Sequence, residues 1–380
     1  MSDISRRAAL QLLGLTFAAG AARAAEADPI MIGVSGPLTG QYAQYGVQWK
    51  RGFDLALEHI PPIDGRKLQY DFEDSQSDPR QAVGIAQKFI ADPSILVEVG
   101  DFSSAASMAA SPIYQRGKLV QFGFTNSHPD FTKGGDYMWT NAPSQADDMP
   151  VLVDYAVKTL KLKRLAVLYI DSDWGRTSEA IFTKGARANG AEVVAQEGYL
   201  PTDKDFRSTL VRVRDANPDG IILVSYYPDG ALITRQIRST GLKQAVVACS
   251  SVYSPKFLEL GGDAVNGVYT ETAFFPGDPR PVARTFVAAY VAKYQVEPDN
   301  FSARAYDTFV LLSEVMRQFG ATRQAIRDGL EKIKDVPSVV YGAVTFDPAT
   351  RRVSGPSNIP LIVKDGKFVA YTGGPATISN

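Results

Sequence analysis

The sequence predicts an α/β protein of two lobes, each a parallel sheet flanked by helices. Three observations carry that expectation. Short apolar runs alternate with helical patterns from Ile30 onward, the signature of a parallel sheet covered on both faces. The pattern pauses at Asn141–Ser144 and restarts with a second apolar run, Leu165–Ile170. Both series then place an aromatic-glycine pair in their first loop, Tyr45-Gly46 in one and Trp174-Gly175 in the other. A chain of 380 residues also exceeds what one core usually organises.

The first series opens on Ile30–Val34, short and apolar enough for a fully buried strand. A loop with Gly33, Gly36, Pro37 and Gly40 follows, ending at Tyr45-Gly46, before a helix with Trp49, Phe53, Ala56, Leu57 and Ile60 on one face. Strand, glycine loop and helix start form the geometry that holds a ligand at the carboxyl edge of a parallel sheet. Leu68–Phe72 is the next strand, and Asp78-Pro79 opens a helix carrying Ala82, Ile85, Ala86, Phe89 and Ile90. Ile95–Val99 is a strand, Ser103 and Ser104 suit the cap of the following helix, and Leu119–Phe122 leads into the polar loop Thr125-Asn126-Ser127-His128.

The second series runs from a helix near Asp147 through Leu165–Ile170, with strands near Glu192–Ala195, Gly220–Val224, Ala245–Ala248 and Gly267–Thr270. Phe275-Pro276-Gly277-Asp278-Pro279 reads as a crossing back to the first lobe. Two long helices follow, one with Phe286, Ala289, Tyr290 and Tyr294, the other with Ala305, Phe309, Leu312, Met316 and Phe319; their bulky residues belong to a core. The tail reads as hairpins around Asp347-Pro348 and Asp365-Gly366.

Composition narrows function. The net charge is −1, and without residues 1–24, which hold three arginines and one aspartate, it is −3; neither nucleic acid nor an anionic membrane is implied. One cysteine, Cys249, and two histidines, His59 and His128, leave no disulfide and little basis for a metal site. At the N-terminus, Arg6-Arg7 precedes the apolar segment Ala8–Ala22 and the small-x-small pattern Ala22-Arg23-Ala24, which describes an export signal cut near Ala24. The paired arginines resemble a twin-arginine signal, and the general secretory route remains open.

Catalytic templates fail. Gly33-Val34-Ser35-Gly36 stops one residue short of a nucleophile elbow because Pro37 takes the closing glycine position. The glycine loop lacks both the lysine of a P-loop and the G-x-G-x-x-G spacing of dinucleotide binding, and no H-E-x-x-H exists. The chain is therefore expected to bind rather than catalyse, with no cofactor.

The stretches GPLTGQYAQYGVQ, FEDSQSDPRQAV, VGDFSSAAS, DSDWG, YYPDGALITRQIRSTGL and AYDTFVLL, in that order, resemble the periplasmic leucine/isoleucine/valine-binding protein family. These are the type I solute-binding components of ABC importers. The resemblance implies two α/β lobes joined by three crossovers, 28–143 with 276–344 and 144–275 with 345–376, closing on a ligand. It implies a periplasmic, monomeric protein that serves an inner-membrane ABC permease, or alternatively a sensory module for a membrane receptor. It also implies ligand contacts by Tyr45, Ser104, Thr125, Ser127, Trp174, Tyr226 and Ser250. Ser104 is expected to bind a ligand carboxylate, a role that the free N–H groups and positive dipole end of its helix independently favour.

Two departures shape the ligand expectation. Amino-acid binders of the family carry an ammonium-pairing acid where this chain has Ser250-Ser251, with Asp101, Asp229 and Glu271 as candidate substitutes. A family disulfide is replaced by Ser77 and Ser103. An ammonium left unpaired in a closed cleft is costly. The expected ligand is thus a small carboxylate on an aromatic or branched apolar body, followed by amino acids, then amides or urea derivatives.

Overall fold

The computed structural model describes residues 28–353, 358–374 and 376; the expected export signal, 1–24, lies outside them. The first series builds β1 (Ile30–Gly36), α1 (Ala43–His59), β2 (Leu68–Asp74), α2 (Pro79–Ala91), β3 (Ile95–Gly100), α3 (Ser104–Gly117), β4 (Val120–Gly123) and β5 (Met138–Thr140). The second repeats the plan with α4 (Gln145–Val153), β6 (Arg164–Ile170), α5 (Asp173–Ala188), β7 (Glu192–Tyr199), α6 (Arg207–Asp215), β8 (Gly220–Val224), α7 (Tyr227–Ser239), β9 (Ala245–Ala248), α8 (Pro255–Gly261) and β10 (Tyr269–Thr272). Helices α9 (Pro281–Tyr294), α10 (Asn300–Phe319) and α11 (Arg323–Lys332) follow. Six short strands close the chain: β11 (Val336–Ser338), β12 (Gly342–Val344), β13 (Phe346–Asp347), β14 (Arg352–Val353), β15 (Ile359–Lys364) and β16 (Lys367–Ala370).

The two large sheets share one order. The first runs β13-β14-β5-β4-β3-β1-β2 and the second β16-β15-β10-β9-β8-β6-β7. Six strands of the first sheet, β14 included, and five of the second are mutually parallel, as in Ile32 beside Tyr70 and Val97, or Val167 beside Gln196 and Ile222. This arrangement reverses direction between the first and third strands of each lobe, the place where open α/β sheets leave a crevice at their carboxyl ends. Buried apolar residues such as Ile32, Val34, Val97 and Phe122 in one sheet, and Val167, Ile222 and Val247 in the other, explain the continuous apolar runs.

Local chemistry sets the element starts. Asp78 caps α2, accepting from the Arg80 and Gln81 N–H groups at 2.8 and 3.2 Å, with Pro79 in the first turn. Asp299 and Ser302 form a capping box on α10. Helix α10 belongs with the first lobe: Phe309 stacks on Phe53 of α1 at 4.2 Å between ring centres.

The aromatic-glycine pairs occupy matching places, though as first-turn residues of α1 and α5 rather than as loop residues. A Cβ on Gly46 would lie 1.9 Å from the Pro37 carbonyl oxygen, and one on Gly175 1.8 Å from that of Ile170. Each helix thus begins against the backbone that leaves its strand, an approach only glycine permits.

One expected boundary moves. The family resemblance places the tail after residue 345 in the second lobe, but β13 and β14 extend the first sheet, with Arg352 registered against Thr140 of β5. This hairpin covers the edge that β5 would otherwise expose, and Phe346 packs edge-on against Phe122 and Trp139. The chain therefore passes to the second sheet between Val353 and Ile359, not at 345.

Candidate ligand-binding site

Loops at the carboxyl ends of the two sheets meet around one cavity. Ser104, Thr125, Ser127, Trp174, Tyr226 and Ser250, six of the seven expected contact residues, line it. Ser104 opens α3, whose N-cap is Ser103, accepting from the Ala106 N–H at 3.4 Å. Thr125 and Ser127 follow β4, and the Thr125 hydroxyl is buried with no protein partner. From the other lobe, Trp174 and Tyr226 stack on each other with ring centres 4.9 Å apart. Tyr226 also meets Phe102 of the first lobe at 5.0 Å.

The lobes are closed. The Trp174 indole N–H donates to the Ser127 hydroxyl at 3.0 Å. The Tyr227 hydroxyl donates to the Gln41 carbonyl at 2.7 Å, and His128 Nε2 lies 3.3 Å from the Thr177 hydroxyl. The space left is about 60 Å³. That is more than one water needs and well below the ~150 Å³ that admits a benzene ring. Admitting a ligand with an aromatic body therefore requires the lining to move apart.

Tyr45 departs from expectation. It was expected as a wall of the cleft, but it is fully buried and does not line the cavity. Its ring stacks on Phe102 with centres 3.9 Å apart. Its hydroxyl donates to the Ser251 carbonyl at 2.7 Å and accepts from the Tyr227 N–H at 3.3 Å, both in the opposite lobe. The helical position explains this: one turn into α1, the side chain reaches across the lobe boundary beneath the cavity. Tyr45 latches the lobes.

Ser250 lines the cavity, so a hydroxyl does stand where an ammonium-pairing acid was missed. None of the three candidate substitutes does. Asp101 is consumed within the first lobe, accepting from Ser35 at 3.0 Å, Ser77 at 3.1 Å and the Ser103 N–H at 3.3 Å. Its carboxylate thereby ties together the two loops that the absent disulfide would have joined. Burial raises its pKa to about 6, against the lowering effect of these hydroxyls. Asp229 and Glu271 are buried in α7 and β10.

Residues not anticipated complete the lining, chiefly Phe102, Gln145, Asp148, Phe301 and Arg304. Asp148, in the first turn of α4, is half-buried at the cavity; burial raises its pKa to about 6, with nearby Arg304 pulling the other way. An acid in a first turn reads as a partner of the helix dipole, which hid its second role. Arg304 was legible in principle, as the cation within the buried face of α10.

The fold and this inter-lobe cavity define a two-lobed solute-binding protein. The chain matches the periplasmic binding protein family over residues 29–367, and it belongs to that family. The Leu/Ile/Val-binding protein homolog 3 of Brucella melitensis is 26% identical over 366 residues, covering 94% of this chain and 98% of that protein. A leucine-binding protein, LivK, from Thermotoga maritima superposes with a TM-score of 0.86 at 26% identity, covering 90% of this chain and 98% of the other. A solute-binding protein of an ABC transporter from Rhodopseudomonas palustris, in complex with 3,4-dihydroxybenzoic acid, has a TM-score of 0.82 at 24% identity, covering 92% and 98%. The chain is thus a binding component of ABC-transporter type rather than an enzyme. Among the described residues no helix is long and apolar enough to cross a membrane.

Proposed function

We propose that this protein captures a small carboxylate with an aromatic or branched apolar body and delivers it to an inner-membrane ABC permease. The observation that carries the reading is the cavity's composition. Ser104 at a helix N-terminus and the unpartnered Thr125 hydroxyl supply anion-binding donors, while Phe102, Trp174 and Tyr226 supply an apolar body site. At the position where relatives of this family pair an ammonium, Ser250 and Ser251 carry no charge. Export directed by the N-terminal segment with Arg6-Arg7, by the twin-arginine or the general secretory route, and a monomeric state complete the reading.

A second reading, an amino-acid ligand, is favoured by one observation: Asp148 lines the same cavity and offers an alternative ammonium partner. The fold itself serves either class, as the leucine-binding and dihydroxybenzoate-bound relatives illustrate. Thermal-shift measurements with phenylpyruvate and phenylalanine separate the two. A rise in Tm with phenylpyruvate supports the acid; a rise only with phenylalanine replaces it by the amino acid.

A further inference from the structure

We propose that Arg304 is the counter-charge of the bound carboxylate, so that the ligand is recognised as an anion and not merely as a hydrogen-bond acceptor. This rests on the carboxylate reading above and assigns the residue that selects for charge.

Arg304 lies in the second turn of α10, and Asn300, Phe301 and Arg304, successive along one face of that helix, all line the cavity. Only 7% of the residue is exposed. Its Nε–H donates to the Asn300 side-chain oxygen at 3.1 Å, and Nη1 reaches the Phe124 carbonyl at 3.5 Å, the residue before Thr125. The guanidinium is thereby anchored to the loop that presents Thr125 and Ser127. It also sits 6.0 Å over the Tyr341 ring.

An arginine remains charged at any accessible pH, and a buried charge without a counter-ion is unfavourable. Among the described residues Arg304 forms no ion pair with a carboxylate. Arg352, equally buried, makes a useful contrast: its guanidinium donates to the His128 and Ala142 carbonyls at 2.6 and 3.4 Å, and it does not line the cavity. Arg304 is the cationic residue of the cavity lining, beside a Thr125 hydroxyl that has no hydrogen-bond partner. A guanidinium and a free hydroxyl on one wall suit a planar, two-oxygen anion. Asp148, the one acid in the lining, shares the field of Arg304 without satisfying it at contact distance.

The test uses the protein with its signal removed, and four probes: phenylpyruvate, 4-methyl-2-oxopentanoate, benzoate and phenylalanine, by calorimetry at pH 7.5. Whichever acid binds is compared with its own primary amide in wild type, Arg304→Gln and Arg304→Lys. Truncating one partner of a buried charge pair costs enough that Arg304→Gln should weaken the acid by at least ~30-fold, with Lys intermediate. The acid-over-amide preference should collapse in Arg304→Gln. Equal weakening of acid and amide would mean a structural role and overturns the inference, as does an Arg304→Gln affinity within about threefold of wild type. Should the glutamine variant not fold, Arg304→Lys decides: an unchanged acid-over-amide preference and affinity overturn it. Wild type binding none of the acids instead removes the carboxylate reading itself, a distinguishable failure.

Discussion

At the scale of single residues, Tyr45 and Asp148 carry the sharpest consequences. Deleting the Tyr45 hydroxyl removes two hydrogen bonds that exist only with the lobes closed. Since each such bond contributes about 0.5–1.5 kcal/mol, losing both is worth about 1–3 kcal/mol, and Tyr45→Phe should lower ligand affinity by roughly five- to 150-fold in calorimetry. The unliganded Tm should barely move. Tyr45→Ala differs: the ring is fully buried, so thermal unfolding should show a loss approaching the ~3–5 kcal/mol of an aromatic truncation. Asp148 makes the pH dependence diagnostic. Its carboxyl is neutral below about 6 and charged above it. A carboxylate ligand is anionic throughout, so its affinity should fall as pH rises from 5 to 7.5, and Asp148→Asn should flatten that slope. An ammonium-bearing ligand would show the opposite slope.

At the scale of elements, the two helix starts after β1 and β6 are the repeated device. Gly46→Ala or Gly175→Ala would drive a methyl into a carbonyl at less than 2 Å, so each should destabilise by about 1–3 kcal/mol or more in denaturant unfolding. Strand-helix alternation and the paired motifs were readable because both depend on local pattern: apolar runs of strand length, caps at Asp78 and Ser103, glycine after an aromatic. What stayed hidden depends on partners distant in sequence. Arg304 meets Phe124, and Tyr45 meets Ser251, across 180 and 206 residues. The tail hairpin chose its sheet by covering the edge of β5, a choice no pattern within residues 345–353 encodes.

At the scale of the whole molecule, six cavity residues were reached through the family resemblance, and the structure sets each of them after a strand's carboxyl end, where this sheet order opens its crevice. Tyr45 was misplaced because being next to the cleft in sequence does not fix which way a first-turn side chain turns. Closure then couples the two lobes through aromatic contacts and a few hydrogen bonds, and ligand binding energy is what favours the closed over the open form.

Of the three tryptophans, Trp174 lines the cavity while Trp49 and Trp139 are buried in the first lobe's core. Titrating phenylpyruvate while recording tryptophan fluorescence therefore reports on the inter-lobe site. The account predicts a saturable change in wild type, at the concentrations that raise Tm, that disappears in Trp174→Phe. Stabilisation by phenylpyruvate with tryptophan emission unchanged would place the ligand outside this cavity and contradict the account.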